Sequence, residues 1–148
     1  MNYIDNIRLD DCFTKDNDLA LMNGVQALVR LLIEQAKLDK DNGLVTHGYV
    51  SGYPGSPLGT LDLELGRSKT HLEKHNIIFQ PAVNEELAAT AAWGTQMLGL
   101  YDKPEIDGVF SMWYGKGPGL DRSMDALRHA NMGGVSKKGG MVLAVADD

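Results

Sequence analysis

Cysteine is nearly absent from this sequence of 148 residues, which contains only Cys12. One cysteine cannot form a disulfide framework within the chain, nor can it hold a zinc ion or an iron–sulfur cluster. Histidine is also scarce: His71 and His75 lie four residues apart, but no third ligand follows at a suitable spacing. The sequence therefore predicts no structural disulfide and no metal site of its own.

Clusters of basic residues and long apolar runs are missing too. The chain has 14 Lys and Arg against 20 Asp and Glu, which gives a formal net charge of −6. Because no basic cluster stands out, we expect no nucleic acid and no anionic membrane surface as a partner. No apolar run is long enough to cross a bilayer and no signal peptide is recognisable, so we expect a cytoplasmic protein.

What the sequence does contain is an alternation of two periodicities. Apolar residues recur at helical spacing between four short apolar runs, and these runs predict strands at 44–50, 77–79, 106–113 and 141–146. Strands that alternate with helices through short connections are typical of a parallel sheet with helices on both faces. We therefore predict an α/β fold.

The chain divides into two regions by polarity. Residues 1–23 are polar and weakly periodic, so we expect an extended N-terminal arm, followed by one domain at 24–148. Asp147 and Asp148 come where the fourth predicted strand would lead into its next loop. Because ligand-facing loops lie at that edge of such sheets, we expect the domain to be incomplete at its C-terminus.

A short acidic segment begins the helix that follows the second predicted strand. Asn84 is a good N-cap, Glu85 and Glu86 fall in the first turn, and the helix beyond them is almost entirely apolar. A buried helix with an acid at its exposed end can deliver one ionisable group into a cleft. Helix capping by surface acids is the simpler interpretation, and spacing alone does not exclude it.

Three loops should meet at one edge of the sheet. Segments 51–57, 80–84 and 114–119 follow predicted strands, and the carboxyl ends of parallel strands share one edge. Glycines in two of them would let the backbone approach a ligand closely, although ordinary turns between strand and helix explain them as well. The segment 115–119 (GKGPG) fits neither the phosphate-loop template nor the dinucleotide fingerprint, so nucleotide binding is disfavoured.

Three segments together resemble one enzyme family. They are 52–59 (GYPGSPLG), 79–90 (FQPAVNEELAAT) and 113–123 (WYGKGPGLDRS). In this order they resemble the thiamine-diphosphate-dependent indolepyruvate ferredoxin oxidoreductases, specifically the long single-chain members. The resemblance covers nearly all of this chain but only a small N-terminal part of the family's protein.

The resemblance implies a pyrimidine-binding domain of the thiamine diphosphate fold. In such enzymes a glutamate forms a hydrogen bond with N1′ of the cofactor's pyrimidine ring, and Glu85, rather than Glu86, aligns with it. Ser56, between Gly55 and Pro57, matches the position where related enzymes carry a threonine near the substrate. The loop expected to border the cofactor's thiazolium ring matches Lys116, Gly117 and Gly119.

The family's reaction is the oxidative decarboxylation of a 2-oxo acid, here an aryl pyruvate such as indolepyruvate, to an acyl-CoA with reduction of ferredoxin. The magnesium and diphosphate site, a Gly-Asp-Gly motif followed by Asn, and the cysteines for iron–sulfur clusters do not occur in this sequence. The resemblance therefore implies that other domains or subunits, commonly in a homodimer, complete the enzyme. The chain alone should be inactive. A non-catalytic binding or regulatory α/β module is the alternative.

Overall fold

The computed structural model describes residues 7–16, 19–55, 58 and 60–147. Its four strands are β1 (Thr46–Gly52), β2 (Ile77–Phe79), β3 (Gly108–Lys116) and β4 (Gly140–Ala146). The helices are α1 (Asp11–Thr14), α2 (Gly24–Asp41), α3 (Leu61–Arg67), α4 (Lys69–Glu73), α5 (Glu85–Thr95), α6 (Gly117–Arg122) and α7 (Met124–Gly133), and a 3₁₀ helix spans Gln96–Leu100.

The strands form one sheet in the order β2–β1–β3–β4, and every pair is parallel. This confirms the predicted α/β class with a parallel sheet. The chain moves from β1 outward to β2, and then crosses back to place β3 on the other side of β1. The direction of winding therefore reverses between β1 and β3, which in open parallel sheets opens a crevice at the carboxyl ends of these two strands.

Helices cover both faces of the sheet, as predicted. On one face, Val29 of α2 and Leu65 of α3 are fully buried in a core that includes Met112 of β3. On the other face, Ala88 of α5 packs in a second core with Trp113 of β3. Neighbouring residues of β3 thus point into opposite cores, which is the period-two alternation of a strand.

The N-terminal segment differs from the extended arm expected for residues 1–23. Within it, α1 buries Cys12 and Phe13 in the α2 core, with exposed fractions of 2% and 6%. Arg30 of α2 donates hydrogen bonds to the carbonyl oxygens of Cys12 and Lys15, which hold the segment against α2. A single helical turn is too short for periodicity to reveal it among polar residues.

The glycine-rich loop expected at 114–119 is not a loop. Gly115 and Lys116 are the last residues of β3, and Gly117 begins α6 directly. Proline in the first turn of α6 explains this start, because its missing N–H has no helical partner at that position. The glycine content suggested irregular backbone, whereas the proline indicated where the helix begins.

Candidate functional site

The connection from β2 to α5 runs over the carboxyl end of β1. The backbone N–H of Gln80 donates to the Val50 carbonyl at 2.9 Å, and that of Ala82 donates to the Gly52 carbonyl at 3.0 Å. The Ser51 hydroxyl donates to the Gln80 carbonyl at 2.9 Å. These bonds place the first turn of α5 at the edge where β1 and β3 end.

Asn84 caps α5, as the sequence predicted. Its side-chain oxygen accepts a hydrogen bond from the backbone N–H of Leu87 at 2.8 Å, so the helix start does not need an acid for its cap. Glu86 is exposed, whereas Glu85 is half-buried. The Glu85 carboxylate has no hydrogen bond or ion pair with any residue that the structure describes. Asn84 thus supplies the cap, and the Glu85 carboxylate lies in the first turn without a hydrogen-bonded partner among the described residues.

Trp113 holds the start of α5 against β3. Its indole Nε1–H donates to the backbone carbonyl of Glu85 at 3.0 Å, and the side chain is fully buried. The sequence predicts Trp113 as a core aromatic residue, and its burial confirms this, but the hydrogen bond to Glu85 was not predicted. Periodicity predicts on which side of a strand a side chain lies, but it does not predict where an indole N–H finds its acceptor.

Gly119 lies directly against the Glu85 side chain. A Cβ atom placed on Gly119 would come within 2.7 Å of Glu85 Cγ and 3.1 Å of its Oε1. Only glycine therefore leaves room for this side chain in its present position. Gly117, two residues earlier in α6, has nothing within 4 Å of such an added atom, so the space beside it is open.

The structure describes five of the seven predicted site residues. Glu85 and Gly119 are in contact, and Gly117 lies on the same short helix as Gly119. Half-buried Lys116 precedes α6 at the N-cap position. Gly55 lies in the turn after β1 with φ of +82°, a conformation that favours glycine. Ser56 and Pro57 lie outside the described residues.

Tyr114 is a residue that sequence patterns did not single out. Its side chain is buried at the end of β3, and its hydroxyl has no hydrogen-bond partner among the described residues. Burial, with a smaller contribution from the Asp62 carboxylate, raises the pKa of Tyr114 well above its usual value. Gly52 pairs with Tyr114 across the sheet, and a Cβ atom added to Gly52 would lie 2.5 Å from the Tyr114 ring.

Glu85 lines none of three cavities formed by described residues. Two flank β4, and a third of about 570 Å³ lies at the amino end of the sheet. Within the described ranges no three His, Cys, Asp or Glu side chains cluster in a way that could hold a metal ion. None of the helices in that same part of the chain combines the length and apolar character needed to cross a membrane.

Comparison with known proteins gives no family. No protein-family model, curated protein or solved structure matches this chain.

Proposed function

We propose that this chain is the pyrimidine-binding part of a thiamine-diphosphate-dependent 2-oxo acid:ferredoxin oxidoreductase of the indolepyruvate type, with Glu85 as its acid. One observation carries the proposal. Glu85 is a half-buried carboxylate without a partner among the described residues, at the edge of a parallel sheet where ligands bind. The identity of the ligand, thiamine diphosphate, comes from the three segments that resemble the indolepyruvate ferredoxin oxidoreductases.

The residues around Glu85 fit the edge of a flat heterocycle. Glycine at 119 gives the carboxylate its space, and the open side of Gly117 would let a ring approach the α6 backbone. Glu85 would hold or share a proton at a ring nitrogen, because a carboxyl group can donate or accept a hydrogen bond there. When bound, thiamine diphosphate supplies the electron sink that decarboxylation of a 2-oxo acid requires.

Trp113 would act on this chemistry indirectly. Its hydrogen bond to the Glu85 carbonyl fixes the first residue of α5, and so it limits where the carboxylate can lie. Trp113 is therefore a positioning residue in this proposal. Lys116, at the junction of β3 and α6, would border the cofactor's other ring.

The rest of the proposed enzyme comes from other protein surfaces. Since the sequence has no Gly-Asp-Gly motif and only one cysteine, magnesium, the diphosphate anchor and the iron–sulfur clusters would be supplied by partner domains or subunits in a cytoplasmic homodimer. Ferredoxin would accept the electrons. We expect the isolated chain to bind thiamine diphosphate weakly and to turn over no substrate.

The test of this function measures exchange of the cofactor's C2 proton by NMR, after the chain has been combined with a domain that carries the Gly-Asp-Gly motif. Glu85→Gln keeps the shape of the side chain but removes its acid, so we expect exchange to be lost while the circular dichroism spectrum is unchanged. Glu86→Gln is the matched control and should exchange normally. Normal exchange with Glu85→Gln would reject the role of Glu85 and favour a non-catalytic module.

A further inference from the structure

The segment before α2 is attached to the domain by few buried side chains. Residues 8–16, which we call the N-terminal strap, pair with no strand of the described sheet. Of the side chains in the strap, only those of Cys12 and Phe13 are buried, and they pack in the core that α2 shares with the sheet. Leu9 is 95% exposed. The sheet therefore keeps all of its own hydrogen bonds if the strap detaches.

One side chain of α2, that of Arg30, is bonded to the strap at three points. Its guanidinium donates to the carbonyl oxygens of Cys12 at 3.4 Å and Lys15 at 2.9 Å, and to the Asp16 carboxylate at 3.0 Å. It also pairs with Glu34 on its own helix at 2.6 Å. Since only 13% of the side chain is exposed, the guanidinium needs these acceptors in place of water. The strap supplies three of the four.

The strap also forms ion pairs at the surface. Lys37 of α2 lies 2.5 Å from the Asp16 carboxylate, and His71 of α4 lies 3.4 Å from that of Asp10. The two aspartate side chains are 56% and 70% exposed. Salt screens charges at such exposed positions, whereas it does not weaken apolar packing. Detachment of the strap should therefore become easier as the salt concentration rises.

We propose that the N-terminal strap detaches from α2 as a unit while the sheet stays folded, and that Arg30 is the side chain that holds it in place. Segments open locally in this way when they contribute few buried apolar contacts to the fold. Detachment exposes the Cys12 thiol and removes Asp16 from the wall of the cavity of about 570 Å³ at the amino end of the sheet. The strap is thus a cover over that end of the domain. Its opening involves no cofactor and does not depend on the role of Glu85.

The first experiment measures how fast iodoacetamide alkylates Cys12. Because Cys12 is the one cysteine of the sequence and is buried, its alkylation requires an opening that exposes it. Rates relative to those of free glutathione give the equilibrium constant of that opening, and urea denaturation followed by circular dichroism gives the constant of global unfolding. We expect the first constant to exceed the second at least about 10-fold. Equal constants would overturn the proposal.

A variant on the opposite face of the sheet distinguishes local from global opening. Ala126 is buried in α7 on that face, and Ala126→Gly weakens the helix. If the strap detaches from a folded sheet, the closed and open states lose the same stability. Alkylation of Cys12 should then keep its wild-type rate although the urea midpoint falls. An alkylation rate that rises in proportion to the loss of global stability would reject a separate opening.

Arg30→Met removes the bonds to the strap but keeps an unbranched apolar side chain. We expect it to speed the alkylation of Cys12 by about 10-fold or more, because three hydrogen bonds from a charged group are lost. Arg67→Met is the matched control: Arg67 pairs with Glu64 on its own helix, its side chain is 75% exposed, and the rate should not change. Asp16→Asn, a milder change on the strap itself, should also speed alkylation if Arg30→Met does not fold. Unchanged rates in the folded strap variants would overturn the role of Arg30.

A salt series provides an independent readout. Raising sodium chloride from about 0.05 M to about 1 M shortens the screening length to about 3 Å. Wild-type alkylation, again relative to glutathione, should become several-fold faster, and Arg30→Met should respond less because part of the charged attachment is already lost. A wild-type rate that salt leaves unchanged, or an equal response of the two proteins, would contradict attachment of the strap through Arg30.

Discussion

The two ends of the sheet use charge in opposite ways. At the amino end, a cavity of about 570 Å³ is lined by charged residues of both signs, among them Lys37 and Asp16. Lys37 forms ion pairs with Asp16 at 2.5 Å and with Glu34 at 3.1 Å. At the carboxyl end, Glu85 has no partner among the described residues and lies against the backbone of Gly119.

This contrast is the reason why we place the proposed chemistry at the carboxyl end of the sheet. Paired surface charges contribute little to stability, and they leave no group with unused hydrogen-bonding capacity. An unpaired carboxylate, by contrast, keeps its hydrogen-bonding capacity for a ligand.

The largest effect should come from removing the anchor of the carboxyl end. Trp113→Ala should lower the free energy of unfolding by about 3–5 kcal/mol, because a fully buried indole is replaced by a cavity and its hydrogen bond to α5 is lost. Urea denaturation measures this. Trp93→Ala is the comparison within the chain, since half-buried Trp93 has no hydrogen-bond partner for its Nε1 among the described residues. Equal losses for the two variants would contradict a special role for Trp113.

A smaller effect should follow from filling the space beside Glu85. Gly119→Ala should destabilise the fold by about 1–3 kcal/mol, because the new Cβ would lie 2.7 Å from Glu85 Cγ. Gly117→Ala, on the same helix but with open space around it, should have little effect. Combining Gly119→Ala with Glu85→Ala should restore most of the loss if the two side chains collide. Additive losses would show that the clash lies elsewhere.

The stability of the fold should depend on pH through His75 at the amino end of the sheet. Burial, with a smaller contribution from Lys37, lowers the pKa of His75 below its ordinary 6.5. The unfolded chain therefore takes up the proton first as the pH falls, and stability present above pH 6.5 is lost below it. Urea denaturation at about pH 7.5 and about pH 5.5 should show this decline, and His75→Gln should reduce it. An identical decline in His75→Gln would assign the effect to other groups.

A sequence pattern predicts an interaction best when the residues that form it are close together along the chain. Asn84 and the bounds of β2 were predicted correctly, because capping and short apolar runs are local signals. The bond from Trp113 to Glu85 joins residues 28 positions apart, and local patterns contain no information about it. The burial of Cys12 was missed for a related reason, because a single helical turn is too short to show a periodic pattern of apolar residues.

Contacts between distant parts of the chain were also not predicted at the proposed site. Resemblance singled out both Glu85 and Gly119, but their contact depends on how α5 and α6 meet at the end of β3. Tyr114 was missed because its burial follows from the register of β1 and β3, which pairs it with Gly52. Register is a property of two strands, and neither strand alone indicates it.

The role of Glu85 can be tested directly by ¹³C NMR of the carboxyl carbons of Glu85 and Glu86 while thiamine diphosphate and magnesium are added to this chain at about millimolar concentration. If Glu85 is the group that meets the ring, its signal should shift on binding while that of Glu86 remains unchanged, and Glu85→Gln should weaken the binding. Shifts centred on Glu86, or binding that Glu85→Gln leaves intact, would contradict the account.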